Sequence, residues 1–526
     1  MKPKLKNLII ILFLTFLLMT FFKIDFRLKE IPQGALSDDS SYYYHAQTIG
    51  VDLDLDYSNQ LKGTNKRNLN VENNKPVPVH PIGVGLLAGP FLFLSNILNN
   101  LFNLDSVVSF NYFVYSLVPI IYIFFGLRIT NKVLNENLKN YNPIRNYLFL
   151  LGSGLTYYAF ERFSMSHSYE YFSIVFIFYL SFLYQKKQLK FLQFLIPFSM
   201  FFLLTLRWSN YHIFIIPLIY FELFHDSKKI RLYFKPFFFI GGLIGVIVFL
   251  LHTKFLYGLY TFNPSDIFLL VENRLASNYE SLLDFDNFGK NFILALKTLL
   301  ILLFTKEFGL FFFTPIIFIG FLSLTVFIYK KKFKLFFLIS IAHLIPFLGI
   351  LVFQNTSYSY GFRYMFSLIG LNIFIYFKFF SQNKIITYYL VVFSIFGIFS
   401  QLIFETSEYS VLSTNYVINS FGQETLYANP DYLNGVFKSS IIFDSYLNIV
   451  FTSFLGVFII KILSLFIDPF EFISQFKSIN EDIELLINNS VEISWIYLFI
   501  VILTLFVIIR SLFQQISFNN KKLLRS

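Results

Sequence analysis

The chain has no cysteine, only two tryptophans, and only 14% charged residues in a length of 526. Without cysteine there are no disulfides, no thiol nucleophile and no thiolate metal site. The shortage of charge excludes an ordinary soluble domain, in which roughly a quarter of residues are charged. Strand-like alternation is also scarce over most of the length, which leaves helices as the form able to span a bilayer. Apolar residues fill the space instead, at 56% of the chain, with 75 phenylalanines and a mean hydropathy of +0.62. Runs long enough to cross the hydrocarbon layer, about 20 residues each, recur throughout. The reading is an all-α polytopic membrane protein. Phe, Ile, Asn and Lys are enriched together, which reads as an AT-rich genome plus lipid-facing side chains, without an aromatic function. The net charge of +11 needs no nucleic acid, because most of it lies in short loops where it sets orientation.

Lys2, Lys4 and Lys6 precede the run Leu8 to Phe22. No small-x-small site closes that run, so it reads as an uncleaved first span that sends residue 23 onward outside. Further spans are predicted at about 107–127, 146–160, 169–184, 191–206, 211–225, 236–252, 308–329, 335–353, 364–380 and 385–404. Basic residues cluster in "RITNKVLNENLKNYNPIRN", "QKKQLK", "HDSKKIRLYFK", "YKKKFK" and "SQNK". The alternate loops "ERFSMSHSYE", "RWSN" and "QNTSYSYGFRYM" carry one basic residue each. By the positive-inside rule the first group is cytoplasmic and the second outside. The loops 23–80 and 253–306 then both fall outside, the latter reading as amphipathic helices on the outer face. Runs 447–467 and 494–512 bring the total to 12 or 13 spans. Counting both leaves the basic tail "NNKKLLRS" outside. Either one of them lies in the interface, or residues 291–304 cross. The stretch "DPFEFISQFKSINEDIELLINNS" between them reads as a loop or surface helix without a legible role.

The first outside loop holds "SDDSSYYYHAQTIG". Ser37 is a natural N-cap, and Asp38 and Asp39 suit the positive end of a helix dipole. On a helix from residue 38, Asp38, Tyr42, His45/Ala46 and Ile49 share one face. Asp39 is rotated away and shares its own face with Tyr43. Asp38 therefore points toward the bundle, and partial desolvation there raises carboxylate basicity, as a general base requires. Downstream, "VDLDLDYSNQ" alternates as an extended segment, with Asp52, Asp54 and Asp56 on one side. Tyr57 and Gly63 stand where a calcium loop needs Gly and Glu, so that motif is rejected. A divalent cation on Asp38, Asp39, Asp54 and Asp56 stays open beside a solvated acidic edge. His80-Pro81 ends an extended stretch, Pro81 can start a helix at its first turn, and Gly83, Gly85 and Gly89 allow close approach of a backbone or ligand.

Taken in order, these residues resemble the bacterial branch of the GT-C superfamily, multi-span glycosyltransferases that use polyprenyl-phosphate sugars. That branch includes protein O-mannosyltransferase-like and aminoarabinose transferase-like enzymes. The resemblance rests on Asp38-Asp39 followed by Tyr42 and Ala46, then "DLDLDYSN", "HPIGVGLLAGPF", "MSHSYEYF" and "SYGFRYMFSL". The acidic pair is Asp-Asp where the family commonly has Asp-Glu. It covers residues 1–404, with 405–526 left as an outside loop and one or two further spans. It implies inverting sugar transfer on the non-cytoplasmic face, with Asp38 as base, beside Asp39, and a lipid, glycan or protein acceptor. A bacterial cytoplasmic membrane and envelope polysaccharide synthesis are the expected setting, with membrane lipids as surroundings. Arg363 and Arg207, at outside boundaries, suit the donor phosphate, since a guanidinium grips phosphate oxygens in a fork. Snorkelling to headgroups is the plainer account of each. Tyr42, Tyr43, His80, His167 and Tyr364 complete the substrate-binding candidates. No cofactor is required beyond that open divalent metal.

Two other classes fit such a chain. A transporter or flippase of lipid-linked saccharide would place ionisable groups mid-span or break helices in repeated halves. No internal repeat is evident, and the acids concentrate outside. A surface polysaccharide polymerase or ligase would not be expected to carry the early acidic pair, and a scaffold would not explain it.

Overall fold

The structure is a computed structural model that describes residues 38–62, 69–105, 109–139, 141–207, 210–224, 232–262, 310–353, 363–403, 416–418, 424–426, 453–475 and 481–523, with residues 18, 300, 303 and 304. The expected first span and most of loops 253–306 and 405–452 lie outside these residues, as does the side chain of Asp38.

The described chain is mostly helical. It opens with α1 (Asp38–Gln47), a π turn (Thr48–Asp52), α2 (Gly83–Phe102) and α3 (Phe110–Asn137). Next come α4 (Pro143–Leu151), α5 (Leu155–Phe160), α6 (His167–Lys187) and α7 (Lys190–Leu204). A 3-10 turn (Tyr211–Ile215) leads to α8 (Ile216–Phe224) and α9 (Pro236–Tyr257). Then follow α10 (Leu310–Phe313), α11 (Pro315–Tyr329) and α12 (Phe333–Phe353). A second 3-10 turn (Arg363–Leu368) precedes α13 (Ile369–Phe379) and α14 (Lys384–Ile403). A two-stranded hairpin pairs β1 (Tyr416–Ile418) antiparallel with β2 (Glu424–Leu426), Val417 opposite Thr425. The chain closes with α15 (Phe454–Leu463), α16 (Pro469–Ser474), α17 (Glu481–Glu492) and α18 (Trp495–Leu523).

Local chemistry sets several boundaries. Pro143, Pro236, Pro315 and Pro469 open helices at the first turn, where a missing N–H costs nothing. Asn142 and Asp468 cap theirs by accepting backbone N–H groups. Gly258 ends α9 at φ 80, a conformation that glycine adopts without penalty.

Among the described residues three helices, α2, α3 and α9, are long and apolar enough to cross a membrane; the bent pair formed by the end of α17 and α18 is a fourth candidate. The sequence reading opens a helix at Pro81 but does not count α2 among the spans. Tyr122 donates to the Leu87 carbonyl at 3.0 Å, and Ser95 bonds Asn111 at 2.6 Å. α2 therefore runs antiparallel to the first half of α3. The far half of α3 meets α6 instead, through Lys132 on the Tyr179 hydroxyl and a Glu136–Lys186 ion pair.

Some predicted spans are interrupted. The one at 146–160 breaks into α4 and α5 at Gly152, where a Cβ would stand 2.3 Å from the Ser394 carbonyl oxygen. The one at 308–329 breaks before Pro315. α15 has ten residues, about 15 Å of helix, half a hydrocarbon layer. α18 starts beside α3, with Tyr497 edge-on to Phe110 and tilted against Phe113, and packs on toward α4. That direction carries Lys521 and Lys522 away from the α1 end. The extended segment expected at 51–57 is also corrected: the π turn continues α1 through Asp52, and Leu53 reverses the chain at φ 59.

Candidate functional site

α1 reads "DDSSYYYHAQ", yet Ser40, Ser41, Tyr42, Tyr43, Tyr44, His45 and Ala46 are all buried. A polar helix is buried only when its groups find partners, and here they do. The His45 imidazole bridges the Tyr57 hydroxyl at 2.8 Å and the His80 carbonyl at 2.7 Å. A carbonyl only accepts, so Nε2 carries the proton and Nδ1 accepts from Tyr57. Burial pushes the His45 pKa down to about 3, which keeps that neutral tautomer at ordinary pH. Ser41 accepts from the His80 N–H at 3.1 Å, and Tyr257 donates to the Val79 and His80 carbonyls. The "YYYH" run is thus a key that fastens the first loop to the bundle.

Glycines set the fit. A Cβ on Gly85 would lie 2.5 Å from His45 Cβ and 2.7 Å from its carbonyl carbon. The expected close approach is therefore to backbone. Gly83 donates its N–H to Thr205 at 3.0 Å, which draws the α7 end against the first loop. Gly85→Ala is expected to lower thermal stability in detergent by about 1–3 kcal/mol, the usual cost of overpacking. An unchanged melting temperature would show that α1 is not seated on α2.

Three turns then deliver charge to the α1 end. Arg162, in the turn before α6, grips Asp39 side-on. Its Nε stands 3.0 Å and its Nη2 2.8 Å from Oδ2, with Nε also 3.3 Å from Oδ1. Burial pulls the Arg162 pKa down, but the charge and hydrogen bond of Asp39 together with Tyr158 outweigh it, so the net shift is upward. Asp39 is thus turned inward, a correction to the helix-face reading. Glu170, 1% exposed, accepts from Ser166 at 2.5 Å, Arg207 at 3.3 Å and Asn210 at 3.2 Å. His167 Nδ1 sits 3.2 Å from both Glu170 and Arg207. The Arg207 guanidinium lies 4.6 Å over the Tyr364 ring, and that of Arg363 lies 5.4 Å from the same centroid. The Arg363 charge reaches Arg162, Arg207 and His167.

The structure therefore gathers Asp39, His167, Arg207, Arg363 and Tyr364 at one end of the bundle. Tyr42 joins them, within electrostatic reach of Arg207 and packed on His80 at 4.9 Å. Tyr43 goes elsewhere, edge-on to Tyr112 and Tyr115, as a packing residue. Asp38 begins α1 beside the cluster, its side chain undescribed. Asp54 and Asp56 sit on an exposed turn, where Asp56 accepts from Ser58 and pairs with Lys75 at 3.4 Å. Those Ser58 hydrogen bonds lower the Asp56 pKa. Among the described residues no three His, Asp or Glu side chains stand close enough to hold a metal ion. Arg162 escaped the sequence reading. Its one signal was position, a lone basic residue in an outside turn beside Glu161.

The chain matches no family model, and neither a curated protein nor a solved structure resembles it significantly.

Proposed function

We propose that this chain is a multi-pass membrane glycosyltransferase of GT-C type, with 12 or 13 spans. It transfers a sugar from a polyprenyl-phosphate donor to a lipid, glycan or protein acceptor on the non-cytoplasmic face. One observation carries the reading: three arginines from three separate turns converge on the start of an acidic helix. Guanidinium clusters suit a phosphate-bearing ligand, and an acid at their edge suits a proton-accepting role toward an acceptor hydroxyl. Asp39 is already engaged by Arg162, so the base assignment falls to Asp38. Arg207 and Arg363, with Tyr364 between them, are assigned to the donor phosphate. Tyr42, His80 and His167 shape the same wall.

A carrier would need a mid-span ionisable group open to cargo. His343 lies mid-way along α12, but both ring nitrogens are occupied. Nδ1 donates to the Ile339 carbonyl at 2.9 Å, and Nε2 accepts from Asn372 at 3.2 Å. Gly320 lies against both side chains. This triad ties three helices together and favours the transferase over the transporter.

Topology provides a direct test. Reporter fusions after residues 75, 165, 280 and 358 are expected to report outside, and those after 135, 187, 229 and 332 inside, an alternation in which α3 crosses between 75 and 135 and α2 lies against it without a second crossing. An inside signal at 75 or 165 removes the cluster from the donor's face and ends the proposal.

A further inference from the structure

The hook formed by α15, α16 and α17 takes no part in the site above. It has a small core of its own, in which Ile460, Ile473 and Ile487 meet Phe470, Phe472 and Val491. α17 meets α18 at 91°. α18 is fixed to the bundle through Tyr497 on Phe110 and Phe113, at 5.5 and 4.5 Å. Neighbouring Tyr112 holds Tyr43 of α1, so the hook sits at the α1 end. With α18 upright in the bilayer, α17 runs along the membrane plane.

The hook's surface is divided. Glu484, Asn488 and Glu492 are exposed at four-residue spacing along α17, and Leu486, Ile487 and Ser490 are buried. The preceding link exposes Leu465 (62%) and Phe466 (79%). Leu465, Phe466 and Ile467 line an open groove of about 600 Å³ together with Asp468, Asn488 and Glu492. Trp495 stands half-exposed at the corner, with Lys461 above its ring at 5.7 Å. Exposed Ile496, Phe499, Leu503 and Phe506 continue the apolar surface along α18. In sequence the hook carries six acids, Asp468, Glu471, Glu481, Asp482, Glu484 and Glu492, against two lysines, Lys461 and Lys477, and the Lys461 Nζ is bound to the Val491 carbonyl.

We propose that this hook lies in the headgroup layer of the leaflet at the α1 end. Leu465 and Phe466 reach the acyl boundary, and the groove carboxylates face the amine of a zwitterionic phospholipid such as phosphatidylethanolamine. A helix parallel to the membrane plane with a polar stripe and an apolar partner surface is the interfacial arrangement. Tryptophan at the corner suits headgroup depth. The acidic surface disfavours anionic lipid, whose headgroups attract basic segments. The inference rests on α18 being a span and is independent of the transferase reading.

The chain's two tryptophans allow a direct measurement on the full-length protein. Phe466→Trp is placed in a Trp208→Phe, Trp495→Phe background and reconstituted with phosphatidylcholine and phosphatidylethanolamine. The lipids carry bromine either near the carbonyl or near the chain end. Quenching is expected to be strongest with bromine near the carbonyl, and aqueous iodide to quench weakly. Replacing phosphatidylethanolamine with phosphatidylglycerol should reduce the bromine quenching. Native Trp495, read alone in Trp208→Phe, should show the same depth and guards against a misfolded variant. Strong iodide quenching with no bromolipid effect, or quenching strongest at the chain end, overturns the interfacial placement. Deeper insertion with phosphatidylglycerol overturns the amine assignment.

Discussion

Asp38→Asn is expected to abolish sugar transfer, with a loss of about 10²–10⁴-fold, the range a positioned general base supplies. That is roughly 3–5 kcal/mol of barrier. Asparagine is nearly isosteric and still suits a helix start, so a role confined to the helix dipole predicts a loss of only about 0.3–1 kcal/mol. Asp39→Asn should behave differently. Its amide oxygen can still accept from Arg162, but the bidentate charge pair at 2.8 and 3.0 Å is gone. A hydrogen bond to a charged group is worth about 1.5–3 kcal/mol, so the loss is expected mainly in stability, with a measurable fraction of turnover retained. The comparison is made at matched expression and matched thermal stability. Near wild-type turnover in Asp38→Asn discards the base assignment.

Glu170→Ala is expected to be the most destabilising single change at the site. Its carboxylate holds Arg207, Asn210 and Ser166 together and stands against His167. Removing one partner of a buried pair leaves the other charge uncompensated, at about 3–5 kcal/mol. Glu170→Gln keeps the shape and two hydrogen-bonding atoms, so it should recover part of the loss. Thermal unfolding in detergent reads both. If Glu170→Ala melts with the wild type, Arg207 finds its counter-charge elsewhere and the network as described is wrong.

Helical class and the presence of apolar helices of membrane-spanning length were legible in composition, because a chain with so little charge has few other ways to fold. The gathering of Arg207, Arg363, Tyr364 and His167 was partly legible, since basic-loop alternation put their turns on one side. Four things were not. The inward turn of Asp39 depends on Arg162, which lies 123 residues away in sequence, and helical periodicity within α1 carries no such information. The burial of α1 was legible on one face: helical periodicity turned Tyr42 and His45 toward the bundle, whereas Ser40, Tyr43 and Tyr44 are buried as well. Alternation in "VDLDLD" imitated a strand because the π turn and the positive φ at Leu53 leave no mark on a period-two count. A helix opening at Pro81 was legible, but the length of α2 was not. Its asparagines broke the apolar run, and only its packing along the first half of α3 accounts for its length.

The most direct measurement is mass spectrometry of purified protein incubated with a panel of polyprenyl-phosphate sugars and candidate acceptors. The account predicts release of free polyprenyl phosphate from at least one donor, with the sugar's anomeric configuration inverted in the product and no release in Asp38→Asn. Movement of intact lipid-linked sugar across vesicles, with no cleavage of any donor, would contradict it.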